Sequence, residues 1–247
     1  MPMVKRTLTK LSICLLAIAA VTLGAFFLAL YMMNRRVVRV AQEMMTDASQ
    51  LHIGRSTLAD VLTYASKYNG EKRGSWPDRP CLETDCLITA WANKNDFWER
   101  HPKLGYAVQR VLRRGWHYSI LIWVKDGKVS GIQQWFAYSK PRASSFVITT
   151  VSQPGTLCRN PYYRLHHGFA AYPGPKAFHV WVNPAATSEK ELVRLNVACA
   201  LRMSGCNGIA DMVPTAWARY EADAPIVEAN ESRWRSEATG NSDCPAD

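Results

Sequence analysis

Residues 118–138 read YSILIWVKDGKVSGIQQWFAY and contain the clearest local signal in the chain. Tyr118 to Val124 is rich in aromatic and β-branched residues, which is typical of a buried strand. Asp126-Gly127 is a dipeptide that favours a two-residue turn of the primed type. Val129 to Tyr138 then supplies the returning strand. The stretch therefore predicts an antiparallel β-hairpin.

The sequence after the hairpin predicts two more strands and a helix. Residues 145–151 and 178–182 are rich in β-formers and are predicted as the third and fourth strands. The helix opens at Thr187 with Ser188 and Glu191 as a capping box and runs to about Met203, before Gly205.

Before the hairpin, a helix is predicted over residues 56–68, with Ser56 as its N-cap and Asp60 in the first turn. Residues 76–86 are predicted as loop, and residues 104–114 fit either a short helix or an extended segment. Helix, hairpin-rich sheet and second helix indicate an α+β domain. Its mainly antiparallel sheet would have about four strands flanked by helices.

An apolar segment near the N-terminus predicts a membrane anchor. Leu11 to Met33 holds 23 residues without a charge, which at 1.5 Å per residue is long enough to cross a bilayer. Its end, Tyr31-Met32-Met33-Asn34, is a poor signal-peptide cleavage site, although a cut near Gly24-Ala25 is the alternative. We expect an uncleaved, single-pass signal anchor that contacts membrane lipid.

The orientation of this anchor depends on the cysteines. Lys5, Arg6 and Lys10 precede the segment and Arg35, Arg36 and Arg39 follow it, so the positive-inside rule gives no clear answer. Six cysteines lie outside the segment, and an even number suggests disulfides in an oxidising compartment. We therefore expect a cytoplasmic N-terminus and an extracytoplasmic C-terminal domain in the cell envelope.

These predictions divide the chain into five parts: a cytoplasmic tail (1–10), a transmembrane helix (11–33), a helical stalk (34–50), the α+β domain (51–225) and a flexible tail (226–247). The stalk is indicated by an apolar seam at helical spacing, which either packs on the domain or pairs two chains. The seam consists of Val37, Ala41, Met44, Ala48 and Leu51.

The six cysteines outside the apolar segment have three possible roles: disulfides, a zinc site or free thiols. They are Cys81, Cys86, Cys158, Cys199, Cys206 and Cys244. The spacings of Cys81–Cys86 and Cys199–Cys206 are wider than those of zinc knuckles, so disulfides are favoured and no metal is expected. The short loop favours a Cys81–Cys86 bridge, the other four cysteines allow three pairings, and Cys244 is a candidate for tying the tail to the domain.

The basic residues suggest no nucleic-acid partner. Residues 1–33 carry +3 of the net charge of +10, and the other basic residues are scattered rather than arranged in a stripe. They indicate either a solvated basic surface or a surface that contacts anionic lipid or polymer. Besides lipid, the sequence allows a second partner in the cell envelope, either a protein or a polymer.

Two stretches resemble a known family. Ile53 to Val61, IGRSTLADV, is similar to the helix opening of small outer-membrane lipoproteins of the SmpA/OmlA type, and Asp126 to Val129 resembles a hairpin they carry later. That resemblance implies an envelope assembly accessory without catalytic residues. The whole chain resembles membrane-anchored proteins of soil bacteria of the acidobacterial kind. This resemblance lies in Gly54 to Thr57, in Cys81 and Cys86, and in the span from His179 to Cys206. It implies the same cellular location and a shared fold.

Few residues suggest catalysis. His166 and His167 are the candidates for a general base or ligand, but no nucleophile elbow or zinc-protease helix accompanies them. Six tryptophans, Trp91, Trp98, Trp116, Trp123, Trp135 and Trp181, either line a groove for a polymer or peptide or fill the core. We expect a non-enzymatic binding or envelope accessory module that needs no cofactor; the alternative is an envelope-acting hydrolase using His166 and His167.

Overall fold

A mixed β-sheet with helices packed on one face forms the body of the protein. The structure is a computed structural model that describes residues 2–73, 81–92, 115–139, 146–153, 161–169, 172–185, 187–202 and 204–222. The architecture is α+β, with a long apolar helix at the N-terminus.

Seven strands form the sheet in the described part of the chain, in the order β1-β2-β3-β4-β5-β7-β6. All neighbours are antiparallel except β5 and β7, which are parallel. The strands are β1 (Glu71–Arg73), β2 (Asp85–Trp91), β3 (Gly115–Lys125), β4 (Lys128–Ser139), β5 (Phe146–Ser152), β6 (Tyr162–Phe169) and β7 (Tyr172–Val182).

The predicted hairpin is formed by β3 and β4. Asp126 has a φ of 52° and Gly127 a φ of 73°, so both turn residues are left-handed, as a primed two-residue turn requires. Alternate residues of β3, including Tyr118, Ile120 and Ile122, are fully buried against the helices. This alternation makes the hairpin the centre of the core.

Helix α1 (Pro2–Ala48) is continuous from the apolar segment into the domain. Its N-terminal half is long and apolar enough to cross a membrane, judged by length and composition. Its C-terminal half, which includes the predicted stalk, contributes Val38, Ala41, Met44 and Ala48 to the buried core. The apolar seam thus packs on the domain.

Helix α2 (Leu58–Lys67) begins one residue later than its predicted N-cap implies. Thr57, not Ser56, caps the helix, because Thr57 Oγ1 accepts a hydrogen bond from the Asp60 N–H and the Asp60 carboxylate accepts one from the Thr57 N–H. The Ser56 hydroxyl oxygen instead accepts a hydrogen bond from the His52 N–H at 2.9 Å. The prediction of Ser56 as N-cap was therefore wrong.

The predicted helix over 187–203 is also wrong. The chain forms two 3₁₀ segments, Thr187–Val193 and Val197–Leu201, which are separated by residues 194–196. The Asn196 N–H donates to the Met212 carbonyl at 2.8 Å, and its side-chain amide donates to the Asp211 carbonyl at 2.9 Å. These contacts with α3 (Ile209–Met212) hold Asn196 out of a continuous helix.

The sheet is larger than the predicted four strands. The predicted loop up to Cys86 overlaps β2, which begins at Asp85, and β6 forms from an aromatic segment that has no clear strand pattern. The third and fourth predicted strands correspond to β5 and β7, although β7 begins earlier, at Tyr172. The segment 104–114 and the tail 226–247 lie outside the described residues.

Candidate binding surface

The two ends of the sheet lie at different distances from the apolar half of α1. At the near end, the Trp116 indole N–H donates to Asn34 Oδ1 at 2.6 Å, and Asn34 directly follows the apolar segment. At the far end, the β3–β4 turn contacts the chain that leaves α1. The Leu58 N–H donates to the Gly127 carbonyl at 3.2 Å. We call this far end the distal tip, made up of residues 81–86 and 125–130.

Hydrogen bonds hold the distal tip in place. The Gly54 N–H donates to the Val129 carbonyl at 2.8 Å, and the Val129 N–H donates to the Ser56 carbonyl at 2.9 Å. A bridge between Thr57 and Lys128 continues this pairing. The chain entering α2 is therefore paired with the start of β4 through its backbone.

A disulfide-closed turn lies beside the hairpin turn. Cys81 and Cys86 are joined by a disulfide with their Cα atoms 4.5 Å apart. Within this loop, Leu82 and Asp85 exchange backbone hydrogen bonds of 3.0 and 3.2 Å, and the Asp126 N–H donates to the Thr84 carbonyl at 2.6 Å. The two turns are thereby fixed to each other.

A depression of about 360 Å³ opens at the distal tip. Trp123 lines this depression and pairs with Gly131 on the neighbouring strand. Because glycine has no side chain, the indole lies close to the backbone there: a Cβ at position 131 would lie 3.3 Å from Trp123 Cε3. A register shift in the β3–β4 pairing after Trp123 shapes the same region. The lining residues are Asp85, Trp123, Val124, Lys125, Ser130 and Gln153.

One apolar side chain of the tip is fully in solvent. Leu82 is 56% exposed, and among the described residues every other strongly exposed large hydrophobic side chain lies in α1 between Ile13 and Met33. Single exposed apolar side chains are common on protein surfaces, but Leu82 lies next to the depression, because it exchanges backbone hydrogen bonds with Asp85, which lines the depression. The described groups of the tip offer no evident nucleophile–base arrangement.

Half-buried aromatic residues occupy the face of the sheet opposite the helices. The rings of His117 and Trp135 are 5.1 Å apart in an edge-to-face contact, and those of His179 and Trp181 are stacked 5.4 Å apart. Burial lowers the pKa of His117, since it disfavours the charged imidazolium. The neutral His117 ring therefore serves as an aromatic packing partner.

The predicted histidine candidates lie in β6, the edge strand. His166 pairs with Ala177 and His167 with Lys176 of β7. Successive positions of a strand alternate between the two faces of a sheet, so positions 166 and 167 do not share one face. Neither cross-strand neighbour is a carboxylate or a thiol. A catalytic role for His166 or His167 stays a hypothesis.

The predicted tryptophan groove divides between the two faces of the sheet. Trp116 packs on the core side, with its ring 6.1 Å from that of Phe136, whereas Trp123 and Trp135 belong to the opposite face. Trp98 lies outside the described residues. The sequence analysis did not predict the depression. Gly131 is the residue that could have indicated it, since a glycine inside a strand often marks a bulge or a close approach of another group to the backbone.

The structure also joins Cys199 to Cys206, whose Cα atoms are 4.8 Å apart. This is one of the pairings that the sequence left open, and the Cys81–Cys86 bridge is the one its short loop favoured. Cys158 and Cys244 lie outside the described residues. Cys14 is free and exposed in the apolar half of α1. Within the described ranges, no group of three or more candidate metal-binding side chains occurs.

Comparison with protein-family models, curated proteins and solved structures finds no match to this chain.

Proposed function

We propose that the protein is a single-pass, membrane-anchored binding or accessory module of the cell envelope without catalytic activity of its own. The apolar half of α1 spans the membrane, the N-terminus is cytoplasmic, and the domain lies in an oxidising compartment. The two disulfides of the described domain support this orientation, because disulfides persist in oxidising compartments and are rare in the cytosol.

One observation carries the proposal: the helix that holds the apolar segment also forms part of the core. Because α1 is continuous through Asn34, the domain is held on the anchor by packing rather than by a flexible linker. From Trp116 to Lys125, β3 extends roughly 30 Å at about 3.3 Å per residue. The distal tip is thereby presented away from the membrane.

The resemblance to envelope accessory lipoproteins is consistent with this role. The two stretches that carry the SmpA/OmlA likeness, 53–61 and 126–129, lie against each other through the hydrogen bonds of Gly54 and Val129. The partner is an envelope protein or polymer that contacts Leu82 and the adjoining depression. The hydrolase alternative using His166 and His167 has weaker support, because successive strand positions face opposite sides.

A photo-crosslinking experiment tests the proposed binding surface. A benzophenone amino acid at the exposed position 83 of the full chain, irradiated in native membranes, is expected to give a discrete adduct. Leu82→Asp should abolish that adduct, since it places a charge where the partner desolvates an apolar side chain. Ser66→Asp, on an exposed position of α2, is the matched control and should leave the adduct unchanged.

Two results would contradict the proposal. An adduct yield at position 83 no higher than at exposed position 219 would remove the binding surface. Protease that fails to reach the domain in intact spheroplasts would reverse the orientation. Mapping of disulfides under non-reducing conditions is expected to find no free thiol outside α1, and reduced Cys199 and Cys206 would also argue for a cytosolic domain.

A further inference from the structure

The near end of the sheet begins where the apolar segment of α1 ends. Asn34 links three elements there: its side-chain oxygen accepts the Trp116 indole N–H, and its side-chain amide donates to the Ala200 carbonyl at 3.4 Å. Met33, the residue before it, is the last residue of the apolar segment. If α1 spans the membrane as proposed above, the domain meets the bilayer surface without an intervening stalk.

Strand register places other strand ends at the level of Trp116. Trp116 pairs with Tyr138 of β4, Tyr138 pairs with Phe146 of β5, and Phe146 pairs with Lys176 of β7. The start of β3, the end of β4, the start of β5 and the part of β7 around Lys176 therefore lie along one row. This row is the edge of the domain nearest to the apolar half of α1.

The β6–β7 hairpin extends past this row. β7 begins at Tyr172, four residues before Lys176, and Tyr172 pairs with Phe169 at the end of β6. Four residues of strand add about 13 Å. Neighbouring strands are rotated by about 20–25°, so three steps of twist from β3 to β7 turn much of this overhang sideways. The hairpin end therefore lies at the level of lipid headgroups rather than deep in the bilayer.

The same end of the molecule is basic. Arg35, Arg36 and Arg39 are exposed on the first turns of α1 beyond the apolar segment, and Lys176 is exposed on β7. No acidic residue occurs in residues 34–42. Basic side chains close to a membrane are attracted to its anionic headgroups.

The residue types at the hairpin end suit a membrane interface. Phe169 and Tyr172 form the last cross-strand pair, and aromatic residues are enriched at membrane–water interfaces. Trp116, hydrogen-bonded to Asn34, lies at the same edge. The geometry points to a second membrane contact: the edge formed by Trp116, Lys176 and the Phe169–Tyr172 pair, together with the three arginines, binds the surface of an anionic bilayer. The inference rests on the proposed anchoring by α1.

This contact has a mechanical consequence. A single helix leaves a domain free to tilt and rotate, whereas a helix and a hairpin end about four strands away form two points of contact with the bilayer. The domain then keeps one orientation, with the distal tip facing away from the lipid. An ordered tip reaches a partner at a fixed height above the membrane.

Lipid photo-crosslinking of the full chain in vesicles tests the inference. A benzophenone amino acid is placed at position 169, with position 126 in the distal tip as the matched control. The vesicles contain phosphatidylcholine alone or with phosphatidylglycerol, and lipid adducts are measured by intact mass. We expect adducts at position 169 but not at 126, and a severalfold higher yield with phosphatidylglycerol.

Charge removal supplies the second arm. The triple substitution Arg35→Gln, Arg36→Gln and Arg39→Gln should reduce the phosphatidylglycerol dependence at position 169 severalfold, because it removes three of the four cationic side chains of this contact and leaves Lys176. Equal yields at positions 169 and 126, or a yield at 169 that does not respond to phosphatidylglycerol, would overturn the inference. A chain released from the vesicles by alkaline carbonate would instead refute the anchoring on which it depends.

Discussion

At the scale of single residues, Gly205 fixes how the Cys199–Cys206 loop meets the sheet. Its φ is +68°, and a Cβ at this position would overlap the hydroxyl oxygen of Tyr138. Tyr138 is 1% exposed, so its ring has little room to move away. Gly205 therefore combines a left-handed conformation with a close contact to a buried ring.

Gly205→Ala should lower the free energy of unfolding by about 2–4 kcal/mol, from backbone strain and overpacking together. Gly208→Ala is the matched control in the same loop region: a Cβ added to Gly208 would have no neighbouring atom within 4 Å, and the residue has an extended φ of 172°. Thermal unfolding followed by circular dichroism in detergent measures both variants. A similar melting temperature for the two would show that Tyr138 does not restrict position 205.

At the scale of elements, the entry to α2 is set by a capping box and by the hairpin turn together. Thr57 caps the helix through Asp60, and the Asp60 carboxylate has a lowered pKa because the Thr57 backbone N–H and then its hydroxyl hydrogen-bond to it. The next residue, Leu58, donates its N–H to the Gly127 carbonyl. A local signal and a long-range contact thus agree on where the helix begins.

Thr57→Ala should destabilise the protein by about 1 kcal/mol, the usual cost of losing an N-cap side chain. Thr63→Ala, an identical change on an exposed position of the same helix, should be neutral or slightly stabilising, since alanine is the better helix former. Urea unfolding monitored by tryptophan fluorescence separates the two. If Thr63→Ala lowers the free energy of unfolding as much as Thr57→Ala does, the Thr57 cap makes no specific contribution to stability.

Element by element, local patterns succeeded where they were strong. The Asp126-Gly127 turn determined the central hairpin, because few dipeptides adopt two successive positive φ angles. The pattern failed at 187–203, where Asn196 bonds to α3, a contact no window of local sequence contains. Local sequence also gave the wrong N-cap for α2. Ser56 and Thr57 are adjacent and both suit an N-cap, and the backbone pairing of Thr57 with Lys128 next to the β3–β4 turn selects Thr57.

At the scale of the whole molecule, α1 forms both the apolar N-terminal segment and part of the core. Val38, Ala41 and Met44 are 2% exposed or less, although residues 12–29 of the same helix are exposed. The domain therefore needs residues 34–48 of α1 to complete its core, while the apolar segment before them contributes little to it.

Two truncations test this division. A chain that begins at residue 34 should fold and show a cooperative thermal transition, because the core side of α1 is intact. A chain that begins at residue 50 should not fold, because the loss of Met44 and its buried neighbours leaves large cavities in the core. Replacing one buried methionine or leucine by alanine already lowers the free energy of unfolding by about 2–5 kcal/mol. Cooperative unfolding of the shorter chain would refute a structural role for α1.

The sequence by itself determined the apolar N-terminal helix, the α+β class and the central hairpin, because each depends on composition or on neighbours within a few residues. Only the tertiary structure decided that the stalk is part of the core, that β2 and β6 complete a seven-stranded sheet, and that Cys199 pairs with Cys206. It also placed the Cys81–Cys86 turn, which carries Leu82, beside the β3–β4 turn. These features depend on contacts between residues far apart in the chain, whose partners no local pattern specifies.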